Sequence, residues 1–329
     1  MCAFERGIMK VFLARHSPLV ILAALCIGLA IYSENFRSQA NLVGVATRTS
    51  EIGVLATGEL LVILTGGIDL SVGSVAALGG VVGCMAMKAL AAGGLESAPW
   101  LAMVIGVLMG AGLGLCCGLI NGLLITLGRI PPFIVTLGMM MTARGLSLIL
   151  SEGKPIYGLP DSFGWLGGGK LWWVPVSVTI TIVLCFTIVL LFTRFGRGLF
   201  AIGGNMQAAR LSGLPVDGYR TAAYAISGTL AGFAGVMLAS RTSVAAPTAA
   251  EMYELDAIAA CVIGGASLVG GEGSALAALA GALIMIVLRN FCNLQDIQVY
   301  WQQVLVGSLI VLLVFYDNWR KRRAGLLSD

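Results

Sequence analysis

"LVILTGGIDLSVGSVAAL", Leu61 to Leu78, decides how this chain is read. An apolar stretch stops at two glycines, shows one aspartate and a few small or hydroxyl-bearing residues, then turns apolar again. A phosphate loop would need G-x-x-x-x-G-K-[ST], and no such pattern occurs here or elsewhere in the chain. A dinucleotide fingerprint would need an alternating strand–helix context, which the flanking apolar stretches lack. What remains is a break between helices. Gly66 and Gly67 can end the first helix in a left-handed conformation, and Asp69 or Ser71 can cap the second. The same break could also present backbone groups to a water-filled path, where irregular backbone is tolerated at membrane depth.

The flanks place the break in a bilayer. Of 329 residues 58% are hydrophobic and only 11% charged, against roughly 25% charged in soluble domains. The mean hydropathy is +0.95. "WLAMVIGVLMGAGLGLCCGLINGLLITLG", Trp100 to Gly128, carries no charge and exceeds the ~20 residues that cross a hydrocarbon core. Near-continuous apolar runs, rather than alternating ten-residue segments, specify helices and not a barrel. The expected fold is an all-α integral membrane protein, a polytopic bundle of about ten helices in one transmembrane domain over 1–329. The spans are expected near 17–33, 43–65, 72–92, 100–127, 131–150, 172–193, 221–240, 255–271, 274–291 and 299–316. The first reads as an uncleaved helix, since no small-x-small site follows it. Glycine clusters such as "GAGLG" and "SGTLAGFAG" predict close helix packing.

Charge sets the orientation. An even number of spans puts both termini on one side. That side holds the basic residues Arg6, Lys10, Arg15, Arg129, Arg194, Arg197, Arg210, Arg220 and the tail Arg320–Arg323. Arg37, Arg48, Lys88, Arg144, Lys154, Lys170, Arg241 and Arg289 fall on the other side. The denser blocks make the first side, with both termini, cytoplasmic. The charge pattern is a topology signal and gives no reason to expect nucleic acid. Of eight cysteines, Cys26, Cys84, Cys116, Cys117, Cys185 and Cys261 sit in apolar stretches, no C-x-x-C occurs and a single histidine accompanies them, so no metal site is expected.

Gly66–Gly73 and Gly264–Gly271 share the pattern G-G-x-x-L-x-x-G. This is an internal repeat of the kind transporters are built from, parallel by a plain span count and inverted if one hairpin is re-entrant. Glu59 and Arg144 lie inside expected spans, where ionisable groups are functional candidates. They read as an interhelical pair or solvated positions, or as part of a proton relay or substrate site. Between two spans, "NMQAARLSGLP" reads as a short helix with Asn205 as N-cap, Gly213 as stop and Pro215 beyond. Ala208, Ala209 and Leu211 give it an apolar side; Gln207 and Arg210 stay polar. Such a helix can lie on lipid or dock into a partner's groove.

These segments resemble the permease subunits of ATP-binding-cassette importers for ribose, xylose and galactose. The resemblance covers nearly the whole chain. It rests on "TGGIDLSVGS" (65–74), "NG" (121–122) with "PPFIVTLG" (131–138), "GRGLFAIGGNMQAARLSGL" (196–214), "YELDAIAACVIGGASLVGGEGS" (253–274) and the final span with its basic tail. It implies a non-catalytic subunit in a bacterial inner membrane, working with a second permease copy or a paralogue. A cytoplasmic ATPase would bind ATP and magnesium, and an extracytoplasmic binding protein would deliver the sugar. It implies that the 194–220 loop couples to the ATPase through Gly203, Gly204, Asn205, Gln207, Ala208, Ala209, Arg210, Leu211, Ser212 and Gly213. Gln207 stands where many such loops have glutamate, and "PTAAEM" (247–252) lacks glycines expected before Y-E-L-D. Thr65, Gly66, Gly67, Asp69, Ser71, Asn121 and Thr136 are expected along the translocation path. No catalytic or metal-binding residue is expected. The alternative is a proton- or sodium-coupled transporter using Glu59, Asp69 and Arg144.

Overall fold

The computed structural model describes residues 17–93, 98–168 and 171–323. Arg6, Lys10, Arg15 and Lys170 lie outside the described residues. The chain order is α1 (Ser17–Tyr32), α2 (Glu34–Arg37), α3 (Gln39–Leu64), α4 (Val72–Ala92), α5 (Pro99–Thr126), α6 (Pro132–Leu150) and α7 (Trp173–Phe192). Then come α8 (Arg194–Gly204), α9 (Met206–Leu211), α10 (Val216–Thr242), α11 (Tyr253–Ile263), α12 (Ala275–Leu294) and α13 (Val299–Arg323).

Among the described residues six helices, α4, α5, α6, α7, α10 and α12, are long and apolar enough to cross a membrane. The expected span at 255–271 is not a helix of that length: α11 stops at Ile263, after 11 residues, or about 17 Å. Its apolar tail, 264–271, is a turn and loop, which hydropathy alone could not separate from a helix. The expected spans at the two ends contain shorter apolar stretches, Leu22–Tyr32 and Val299–Leu312. α3 has 26 residues, yet Arg48, Glu51 and Glu59 interrupt it; every residue from Glu51 to Leu64 is buried.

α10 packs against α5, α4 and α3. The close approach comes from a stripe at i, i+4 spacing on α5: Gly106, Gly110, Gly114, Gly118 and Gly122 are all buried. A methyl on Gly114 would strike the Gly228 carbonyl, one on Gly118 the Tyr224 carbonyl, and one on Gly122 the Thr221 backbone. Gly79 and Gly83 of α4 meet Gly110 and Gly106 in the same way. Small residues bring backbones together where lipid offers no hydrophobic drive. The contacts also show direction. Gly264 faces Ala277 and Gly281 faces Ala260, while Gly53 meets Leu279 and Gly273 meets Leu60. α12 is therefore antiparallel to both α11 and α3, and α3 and α11 run the same way.

The segment before α11 explains the missing glycines. Ala250 (φ 54°) and Met252 (φ 67°) occupy the left-handed region, where glycine costs least and a side chain costs about 1 kcal/mol or more. The loop is held by Arg144, whose Nη1 donates to Pro247 O (2.8 Å) and Ala249 O (2.9 Å). Arg144 and Glu59 are thus not paired, a correction to the sequence reading: burial of irregular backbone claims the arginine's donors first.

Gly118→Ala is expected to lower the melting temperature in detergent, through about 1–3 kcal/mol of overpacking. Gly112→Ala, with nothing within 4 Å of the added methyl, is expected to leave it unchanged; equal melting of the two would refute the stripe's role. Met252→Gly is expected to raise the melting temperature by relieving the left-handed strain, and a fall would contradict that account.

Candidate functional site

The break between α3 and α4 is a Schellman turn. Gly66 has φ 76°, its N–H donates to Ile63 O and the Gly67 N–H to Val62 O. The break after α11 is built alike, with Gly265 at φ 87°, its N–H on Val262 O and the Ala266 N–H on Cys261 O. The left-handed residue is the first glycine of one pair and the second of the other. The structural match is therefore one residue off the register that aligns Gly66 with Gly264.

After Gly67 the chain turns back into the bundle. α4 starts at Val72, seven residues before Gly79, which sits opposite Gly110. α5 continues from Gly110 to Thr126, so α4 begins about 14 Å short of the end of α5. Asp69 holds this re-entry. Its Oδ1 accepts the Ser71 N–H (2.9 Å) and the Ser71 hydroxyl (2.6 Å), and its Oδ2 accepts the Ser227 hydroxyl at 3.5 Å. The Asp69 N–H donates to Glu59 Oε1 at 3.0 Å. Asn121 donates to Ser71 Oγ (3.0 Å), and Thr136 to Ile68 O (3.4 Å). Ser71 stands at the N-cap of α4 but makes no capping bond with its side chain. Asp69 ties the turn without reaching the helix's first free amides, so neither residue is a helix cap of the expected kind.

Asp69, Ser71, Asn121 and Thr136 thus come together from two helices and a loop, all buried. Thr65 stands apart and donates to Val62 O of its own helix (2.8 Å). Gly66 and Gly67 supply the turn; Gly67 has no room for a methyl because Tyr224 Oη lies against it. Tyr224, Ser227 and Glu254 also belong here, and the sequence reading did not single them out. Ser227 was visible only as the polar residue of "SGTLAGFAG". Glu59 Oε2, Asn121 Oδ1, Tyr224 Oη and Glu254 Oε2 are buried without a partner among the described residues. No group of three or more potential metal-ligating side chains of His, Cys, Asp or Glu type occurs among the described residues.

The α8–α9 segment lies directly beneath the two breaks. The Gly271 N–H donates to Leu64 O, the end of α3, at 3.1 Å. A methyl on Gly203 would strike Leu64 O and Gly271 N, and one on Gly271 would meet Gly204 N at 2.9 Å. Asn205 caps α9, its Oδ1 accepting the Ala208 N–H at 2.9 Å. Gly213 (φ 85°) ends α9 in a third Schellman turn, with the Leu214 N–H on Ala209 O. The expected apolar side is split. Ala209 packs inward with Ile202 and Val216, while Ala208 and Gln207 are exposed and Leu211 is 90% exposed. Arg210 Nη2 pairs with Asp217 Oδ1 at 2.9 Å, on the surface, and Ser212 donates back to Ala209 O.

The family described as branched-chain amino acid transport system / permease component matches residues 41–314. The ribose import permease protein RbsC of Bacillus subtilis is 43% identical over 312 residues, 93% of each chain. That of Escherichia coli K12 is 39% identical over 320 residues, 95% of this chain and 97% of its own. The L-arabinose transport system permease protein AraH of the same organism is 36% identical over 310 residues, 94% and 92% of the two chains. No solved structure matches.

Asp69→Ala is expected to destabilise the folded protein by about 1.5–3 kcal/mol, the range for hydrogen bonds to a charged group, seen as a lower melting temperature and folded yield. Asp69→Asn should retain more stability. Wild-type melting of the alanine variant would show that Asp69 does not hold the re-entrant turn.

Proposed function

Because this chain belongs to the family described as branched-chain amino acid transport system / permease component, we propose that it is the membrane-spanning subunit of an ATP-driven importer for a monosaccharide. The sugar, of ribose or arabinose type, enters the cytoplasm. The observation that carries the substrate class is the 36–43% identity, over nearly full length, to permeases whose names specify ribose and arabinose import. A neutral sugar needs a path with few fixed charges, in keeping with a chain that is only 11% charged. The relatives' role favours this reading over a proton- or sodium-coupled carrier.

The chain has no phosphate-binding motif, so ATP and its magnesium belong to a separate ATPase. Residues 194–220 form the cytoplasmic docking loop, with exposed Leu211 as its apolar anchor and Gln207, Ala208 and Arg210 around it. The loop is suited to transmission because Gly203 abuts both helix breaks with no side chain between. A push on α9 would reach Leu64 and Gly271 through backbone contacts alone. The path follows the Asp69–Ser71–Asn121–Thr136 cluster, closed in this state and opened when the breaks move. The chain contributes ten membrane segments, and the breaks after α3 and α11 mark a parallel repeat. Both termini lie in the cytoplasm of a bacterial inner membrane. A second permease copy or paralogue completes the pathway, and an extracytoplasmic binding protein supplies the sugar.

Leu211→Glu changes an exposed side chain, and Gly213→Arg burdens a left-handed position; both are expected to insert normally, lose co-purification of the ATPase and abolish uptake. Retained co-purification and uptake in both variants would sink the docking assignment.

A further inference from the structure

At the end of the bundle opposite α8 and α9, about 40 Å away along α10, a polar cavity of about 260 Å³ opens among α3, α10, α11, α12 and α13. Arg48, Arg241, Tyr253, Asp256, Arg289 and Asn293 line it, with Gln302 beside them. The other cavities described are lined mainly by apolar side chains. Charges gathered in one partly buried cavity are costly to desolvate.

The internal bonds of the cavity leave a defined remainder. Arg241 binds both oxygens of Glu51, at 2.5 and 3.1 Å, and Arg48 forms no ion pair among the described residues. Arg289 takes Asp256 Oδ1 at 2.7 Å. Asp256 Oδ2 is buried without a partner, on a side chain 1% exposed. Gln302 Nε2 donates to Asn293 Oδ1 at 2.8 Å and to Ile297 O at 3.0 Å. That pair leaves the Asn293 amide as donor and the Gln302 carbonyl as acceptor. The remainder is donors on Arg48, Arg289 and Asn293, acceptors on Asp256 and Gln302, and the Tyr253 hydroxyl beside Arg241, which can act as either.

An anion would meet the spare carboxylate oxygen of Asp256, and a cation would meet Arg48. A ligand with hydroxyls satisfies both sets at once, since each hydroxyl donates and accepts. The volume falls just under the ~300–1,000 Å³ of pockets for drug-sized ligands, which suits one small sugar ring. We infer that this cavity is the outer recognition site where the permease takes the monosaccharide before it reaches the Asp69 cluster. This deepens, and rests on, the importer reading above.

The test uses the complete importer in proteoliposomes: this chain, its ATPase and its binding protein, with radiolabelled D-ribose and L-arabinose. Asn293→Ala and Arg48→Gln, both at exposed positions, are compared with wild type after gel filtration has shown each complex to be intact. The same binding protein serves every variant, so a changed ratio of kcat/KM for the two sugars reports on this chain. The expected result is a shift in that ratio, up to about tenfold for one lost hydrogen bond, together with slower uptake. An unchanged ratio in both intact variants overturns the site, even if uptake falls, because a cavity serving structure or protein docking would slow both sugars equally. Wild-type import of neither sugar, nor of any other neutral monosaccharide, overturns the importer reading itself and this site with it.

Discussion

The Leu64 carbonyl, where α3 ends inside the bundle, accepts the amide of Gly271 from the loop after α11. The rest of the structure is arranged around this constraint. A helix that stops at membrane depth leaves carbonyls that no water can reach, and each must find a partner within the protein. Schellman turns at Gly66 and Gly265 satisfy some of these carbonyls, and Gly271 satisfies the last one of α3. The bond brings the two breaks into contact, and the bare backbone of Gly203 fits against both. A side chain at any of these glycines would push the layers apart.

The re-entry at Asp69 follows from the same requirement. Its carboxylate stands in for the backbone partners that an unbroken helix would have supplied to Ser71. Glu59 does the same for the amide of Asp69. Two acidic residues so near each other in an apolar bundle serve the backbone directly. They form no salt bridge, and the four unpartnered polar atoms around them mark where hydrogen-bonding capacity is left over. Buried polar networks with such a surplus are expensive to keep closed and able to take up other polar groups on opening.

Much of this was legible in the sequence, for identifiable reasons. Apolar run length located the helices, and G-G with Asp and Ser located the break. Asn205, Gly213 and Pro215 delimited α9 almost to the residue, because caps and left-handed glycines are local chemistry. What failed was non-local. Hydropathy read 255–271 as one span, since nothing in "IGGASLVGG" distinguishes a buried loop from a helix. Arg144 was matched with Glu59 by depth alone, whereas its donors are claimed by the carbonyls of Pro247 and Ala249. The split of α9, Ala209 inward and Leu211 outward, depends on where Ile202 and Val216 lie, which no periodicity over six residues reveals.

The charges at the far end were the least legible. Arg48, Arg241 and Arg289 entered the sequence reading as orientation marks, which treats them as solvated. The fold instead gathers them from three helices and gives two of them carboxylate partners, Glu51 and Asp256. Those pairs bring α3 to α10 and α11 to α12. They therefore brace the helices that lead to the two breaks while shaping the cavity between them. A group entering there would contact α3, α11 and α12 together, the helices whose inner ends meet at Leu64 and Gly271.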